Sequence, residues 1–195
     1  MLKGNRVLDE VLNSSSHFIG LIMAIVCSIF LGVAVAESNN EWLEHHDGER
    51  YNDVIIVRGP YTTAVSIYLF SLITLYLSST LFHATFALDD AIYGFFTILD
   101  FCSIYILIAG SFTPFLSILF PDKPIYSVGM LSFLWAMAGM GILISATYHG
   151  PFKIGMLIAS YVAMGWTFVI CASDVYDRMS PVPNGFRLII LGDLT

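Results

Sequence analysis

The sequence predicts an all-α fold: a polytopic transmembrane helix bundle of five helices, followed by the beginning of a sixth. Three observations carry this. Of the 195 residues, 57% are hydrophobic and 12% charged, against about a quarter charged in soluble domains. The mean hydropathy is +0.78. The apolar residues are gathered into blocks divided by short polar segments, and each block is long enough for the roughly 20 residues that cross a hydrocarbon core of about 30 Å.

The blocks run over 18–36, 61–86, 99–120, 125–147 and 154–173, and none contains Lys, Arg or Glu. Lys3 and Arg6 precede the first block, and Ala34-Val35-Ala36 near its end has the form of a signal-peptide cleavage site. The run exceeds the roughly 7–15 residues of a signal core, and Asp9 and Glu10 stand where a signal would be basic, so it is read as a span. Residues 37–60 form a long hydrophilic loop rich in Glu, Asp, Asn and His. The second block ends near His83. The third begins beside Asp100, the one acidic residue in any block. Pro121-Asp122-Lys123-Pro124 and His149-Gly150-Pro151 are tight stops on either side of the fourth block, which makes the last three helices antiparallel neighbours. In the tail 174–195, Pro181 and Pro183 make a turn, and 186–191 opens an apolar run too short to cross a bilayer. The whole chain reads as a single transmembrane domain, incomplete at its C-terminus.

A net charge of −7 excludes nucleic acid as a partner, since phosphate binding needs clustered Lys and Arg. The expected partners are the lipid bilayer and a lipid substrate or ligand, and nothing in the sequence fixes an oligomeric state. Cys27, Cys102 and Cys171 each fall within an apolar block without metal or disulfide spacing, and they read as small buried hydrophobes. Lys3, Arg6 and Lys153 on one side of the membrane face Arg50, Arg58, Lys123 and Arg178 on the other, a tally that sets no orientation.

Ionisable groups at membrane depth are costly and by default functional where they face one another. Alternating the helices up and down brings Glu10, Asn13, Ser16 and His17 before the first span, Ser79 and His83 at the end of the second, and Asp100 at the start of the third to one membrane face. Asn13 and His17 are four residues apart, as are Ser79 and His83, so each pair shares a helix face. Simpler roles stand beside this reading. Glu10 and Asn13 could begin and cap a helix, the histidines could sit at the headgroups, and Asp100 could complement a helix dipole in a first turn. Ser79 lies in no nucleophile elbow, and a membrane serine more often bonds backbone or a neighbouring helix. Asn13-Ser14-Ser15 is a formal glycosylation sequon, expected unused so near the membrane edge. His83 with Asp100 would suit a metal centre, but catalytic zinc takes three protein ligands and a water. His45 and His46 belong to the opposite side, and His149 has no helical His-x-x-x-His partner.

Glu10-x-x-Asn13-x-x-Ser16-His17-x-x-Gly20, Ser79-Thr80-Leu81-Phe82-His83, Asp100 with the run from Tyr105 to Pro114, and Tyr161-Val162-Ala163-Met164-Gly165-Trp166 occur in that order. Together they resemble the hemolysin III family, the bacterial-type branch of the progestin and adipoQ receptor superfamily. The resemblance implies a seven-helix bundle with a cytoplasmic N-terminus. It also implies a zinc ion held by His83 and by a His-x-x-x-His pair of a seventh helix, with Asp100 as acid/base or water-orienting group and Ser79 supporting it. The sequence has no His-x-x-x-His, so two of those ligands are missing, and the chain is either a complete product with weak zinc affinity or part of a longer protein. Three functions follow from the resemblance: a zinc-dependent hydrolase of lipid amides or esters, a non-catalytic receptor or homeostasis protein, and a pore-forming cytolysin. The last has the least support, because the spans lack a continuous polar stripe to line a channel.

Overall fold

The computed structural model describes residues 4–45, 54–120 and 122–179, and side chains within 6–37, 62–120 and 122–176. These residues form five helices: α1 Gly4–His45, α2 Val54–Ala84, α3 Asp90–Leu119, α4 Pro124–Thr147 and α5 Lys153–Met179. No strand occurs among the described residues. All five helices are long and apolar enough to cross a membrane, which makes the chain an integral multi-pass membrane protein.

Helices α1, α2 and α3 extend well beyond their apolar runs, and α5 runs on to Met179. α1 begins at Gly4 rather than near Phe18, and α3 begins at Asp90, nine residues before Leu99. Helical hydrogen bonds join each N–H to the carbonyl four residues back whatever the side chain, so the backbone continues into polar ends that an apolar run does not mark. For the same reason α1 continues to His45 and α2 starts at Val54, both within the stretch expected as loop; residues 46–53 between them lie outside the described residues. The tail with Pro181, Pro183 and 186–191 lies outside them as well. Asp89 caps α3, its carboxylate accepting from the Ala91 N–H at 2.8 Å. Pro124 stands in the first turn of α4, where its missing N–H costs nothing. Pro114 inside α3 frees the Gly110 carbonyl from its usual donor, a defect tolerated in membrane helices with packed neighbours.

Among the described residues α3 is the hub, packing against α2, α4 and α5, while α1 packs on α2 alone. The contacts repeat every seven residues, as left-handed helix packing requires. On α2, Ala64, Ser71 and Ser78 are buried, with Thr85 just past its end; on α4, Ser127, Leu134 and Gly141; on α5, Leu157, Met164 and Cys171. Small residues let backbones approach closely. A Cβ at Gly110 would collide with Ser71 Oγ, and one at Gly141 with the ring of Tyr105. Cys102 and Cys171 are buried as expected, but Cys27 is exposed, because it stands on the face of α1 turned away from α2.

Candidate functional site

α1 presents one stripe to α2. Glu10, Ser14 and His17 are partly buried, and Leu21 and Ala24 fully so, at spacings of three and four. Asn13 and Ser16, expected in the polar group, point elsewhere: both are exposed, and Ser16 Oγ bonds the Asn13 carbonyl at 2.9 Å. Ser14 takes their place and donates to the Thr80 carbonyl on α2 at 3.4 Å. Glu10 neither begins nor caps the helix, since α1 starts at Gly4. Its Oε2 lies 2.6 Å from His83 Nδ1, with the Glu10 and His83 side chains only 14% and 16% exposed.

His17 completes this contact. Its ring meets that of His83 edge to face, centroids 5.3 Å apart, and packs against Tyr76 on the other side at 6.4 Å. Tyr76 approaches α1 so closely that a Cβ at Gly20 would strike its ring. The His17 Nδ1 is buried without a hydrogen-bond partner, a costly state for a polar atom.

Asp100 comes from the opposite side of α2. It is not in a first turn: it lies ten residues into α3, about 15 Å along the axis at 1.5 Å per residue. Asp89 and Asp90 occupy the helix end instead, so the dipole role expected for Asp100 is theirs. The Asp100 carboxyl lies near the buried Ser79 hydroxyl and the His83 and His17 rings. Below it, Ser103 Oγ donates to the Asp100 carbonyl at 2.6 Å and accepts from Ser78 Oγ at 2.8 Å, fixing α3 against α2 at the level of the site. From α5, the Tyr161 hydroxyl donates to the carbonyl of the next residue, Phe101, at 2.9 Å.

Ser79, His83 and Asp100 are therefore brought together, and Glu10, Ser14 and His17 join them from α1. The signal for α1 was its spacing, because 10, 14, 17, 21 and 24 describe one helical face. His149 stays apart: it is exposed and its Nδ1–H donates to the Thr147 carbonyl at 2.9 Å. The side chains of His45 and His46 lie outside the described residues.

Chemically the site is rich in acceptors, with a carboxylate, an imidazole and a second carboxylate within the space of three helices. A resident zinc would need three protein ligands and a water. Among the described residues, no group of three His, Cys, Asp or Glu side chains is placed to hold a metal ion. The unpartnered His17 Nδ1 is the one orphaned donor or acceptor beside His83, and it does not complete such a set. These residues by themselves do not make a zinc site.

The family model for haemolysin-III related proteins matches residues 5–192. The chain is 29% identical over 188 residues to the hemolysin-3 homolog of Bacillus subtilis (strain 168), covering 96% of this chain and 76% of that protein. It is 28% identical over 188 residues to hemolysin-3 of Bacillus cereus, covering 96% and 74% respectively.

Proposed function

The chain belongs to the haemolysin-III related family, and from that premise we propose that Ser79, His83 and Asp100 are the reaction centre of a zinc-dependent hydrolase cleaving an amide or ester bond of a membrane lipid. The observation that carries the reading is the convergence of a carboxylate, an imidazole and a buried hydroxyl from two packed helices at one end of the spans. Such groups are expensive near lipid and persist where they act. In this reading Asp100 accepts a proton from water as the oxygen adds to the lipid carbonyl carbon, and returns it to the departing nitrogen or oxygen. Ser79 holds the carboxylate in place by donating to it. His83 is the residue of this chain suited to zinc, and the other two histidine ligands that the resemblance implies are not in this sequence. The N-terminus and the cluster lie on the cytoplasmic side.

The test is fatty-acid release from ceramide-containing vesicles by the purified chain, followed by mass spectrometry with zinc added or chelated. Release that falls on chelation and in His83→Ala supports the reading; no release above protein-free vesicles overturns it. The missing three-ligand set among the described residues favours a second reading, a receptor that binds lipid without turnover. Saturable ceramide binding without fatty-acid release would select it.

A further inference from the structure

Among the described residues α1 packs on α2 alone, and only 6% of its most apolar stretch is buried, against 17–22% in the other spans. Towards its N-terminal end the contact with α2 is polar. Glu10 Oε2 sits 2.6 Å from His83 Nδ1, while Glu10 Oε1 is 4.0 Å from the half-exposed Arg6 one turn earlier. A carboxylate oxygen only accepts hydrogen bonds, so at this distance the hydrogen must be carried on Nδ1. In neutral imidazole that leaves the lone pair on Nε2.

We propose that Glu10 is a positioning residue for His83: it holds the ring with its hydrogen on Nδ1 and so keeps Nε2 as the open acceptor of the site. The choice of nitrogen matters for any role of His83. An Nε2 lone pair can take a proton or ligate a cation, whereas an Nε2–H can do neither. Carboxylates that orient a working histidine in this way are common, and their loss costs about 10–100-fold in function. His17 and Phe82 meet His83 ring to ring rather than through a hydrogen bond. Asp100 is near enough to act on His83 electrostatically, and the short contact at Nδ1 is with Glu10. The inference deepens the proposed reaction centre and rests on it for its functional consequence, but the tautomer can be read without substrate or zinc.

The measurement is ¹⁵N NMR of histidine-labelled protein in lipid nanodiscs, with the His83 signals assigned by their disappearance in His83→Gln. Wild-type protein should carry the hydrogen on Nδ1. Glu10→Leu, which keeps α1 apolar, should move it to Nε2, while His17→Leu and Arg6→Leu should leave it on Nδ1. Finding Nε2–H in the wild type, or Nδ1–H retained in a folded Glu10→Leu, would overturn the proposal. Should Glu10→Leu fail to fold, the wild-type tautomer still decides. Fatty-acid release, if the wild type has it, should drop at least 10-fold in Glu10→Leu. A wild type with no release removes the hydrolase reading while leaving the tautomer result to stand or fall separately.

Discussion

The two sides of α3 are built differently. Towards α1 and α2 it meets hydroxyls, carboxylates and imidazoles: Ser78 with Ser103, Ser79 with Asp100, and beyond them Glu10 with His83. Towards α4 and α5 it meets fully buried Leu134, Ala138, Leu157 and Met164 and a set of aromatic rings, among them Tyr105 against Tyr161 at 4.4 Å and Phe115 against Phe168 at 5.9 Å. In lipid, helix association gains little from hydrophobicity and depends on close packing. The α3–α4–α5 side has that packing chiefly with apolar and aromatic side chains. The α2 side packs as closely, Ser71 against Gly110, and at one end also gathers groups that are costly to bury, which is the arrangement expected of a site held up by a scaffold. Substitutions should therefore cost stability on the first side and function on the second.

The sharpest challenge to that division is Gly141→Leu. Tyr105 is fully buried, lies directly over Gly141, and is fixed by its hydroxyl contact with Ser160 at 2.5 Å, so it has nowhere to move. Overpacking here should cost about 2–3 kcal/mol, read as a lowered melting temperature or loss of monodisperse protein in detergent. Next comes Tyr161→Phe, which removes the bond to the Phe101 carbonyl but keeps the ring packing. A loss of about 1 kcal/mol is expected. Ser78→Ala removes the hydroxyl shared between Ser103 Oγ and the Leu75 carbonyl, while Ser103 keeps its bond to the Asp100 carbonyl; about 0.6 kcal/mol is expected, the mean for interhelical bonds in membranes. Asp100→Asn should have the smallest effect on stability, with the melting temperature unchanged or raised, because it replaces a half-buried charge by a neutral amide of the same shape. A large loss in this last variant would mean that the polar side is structural.

Five spans and the convergence of Ser79, His83 and Asp100 were legible in the sequence, because apolar blocks mark the bilayer-crossing parts and strict alternation of direction assigns each end to a face. Helix ends were not, since an apolar run stops at the first polar residues while the backbone continues. For α3 the missed signal was Asp89-Asp90-Ala91, a capping aspartate followed by an acidic first turn, nine residues before Leu99. That shift changed the meaning of Asp100 from a helix-end charge to one set along the helix wall. The pairing of Glu10 with His83 could not be read at all, because it depends on how α1 is rotated against α2. That rotation is set by Leu21, Ala24 and the contact of Gly20 with Tyr76, packing that sequence spacing only outlines.

The most direct measurement is fatty-acid release from ceramide vesicles by wild-type and Asp100→Asn protein side by side, each in nanodiscs with its melting temperature recorded. A fall in release of roughly 100-fold or more at an unchanged or higher melting temperature is the predicted result. Equal release by the two proteins, or a loss of release accompanied by unfolding, would contradict the assignment of catalysis to the polar side of α3.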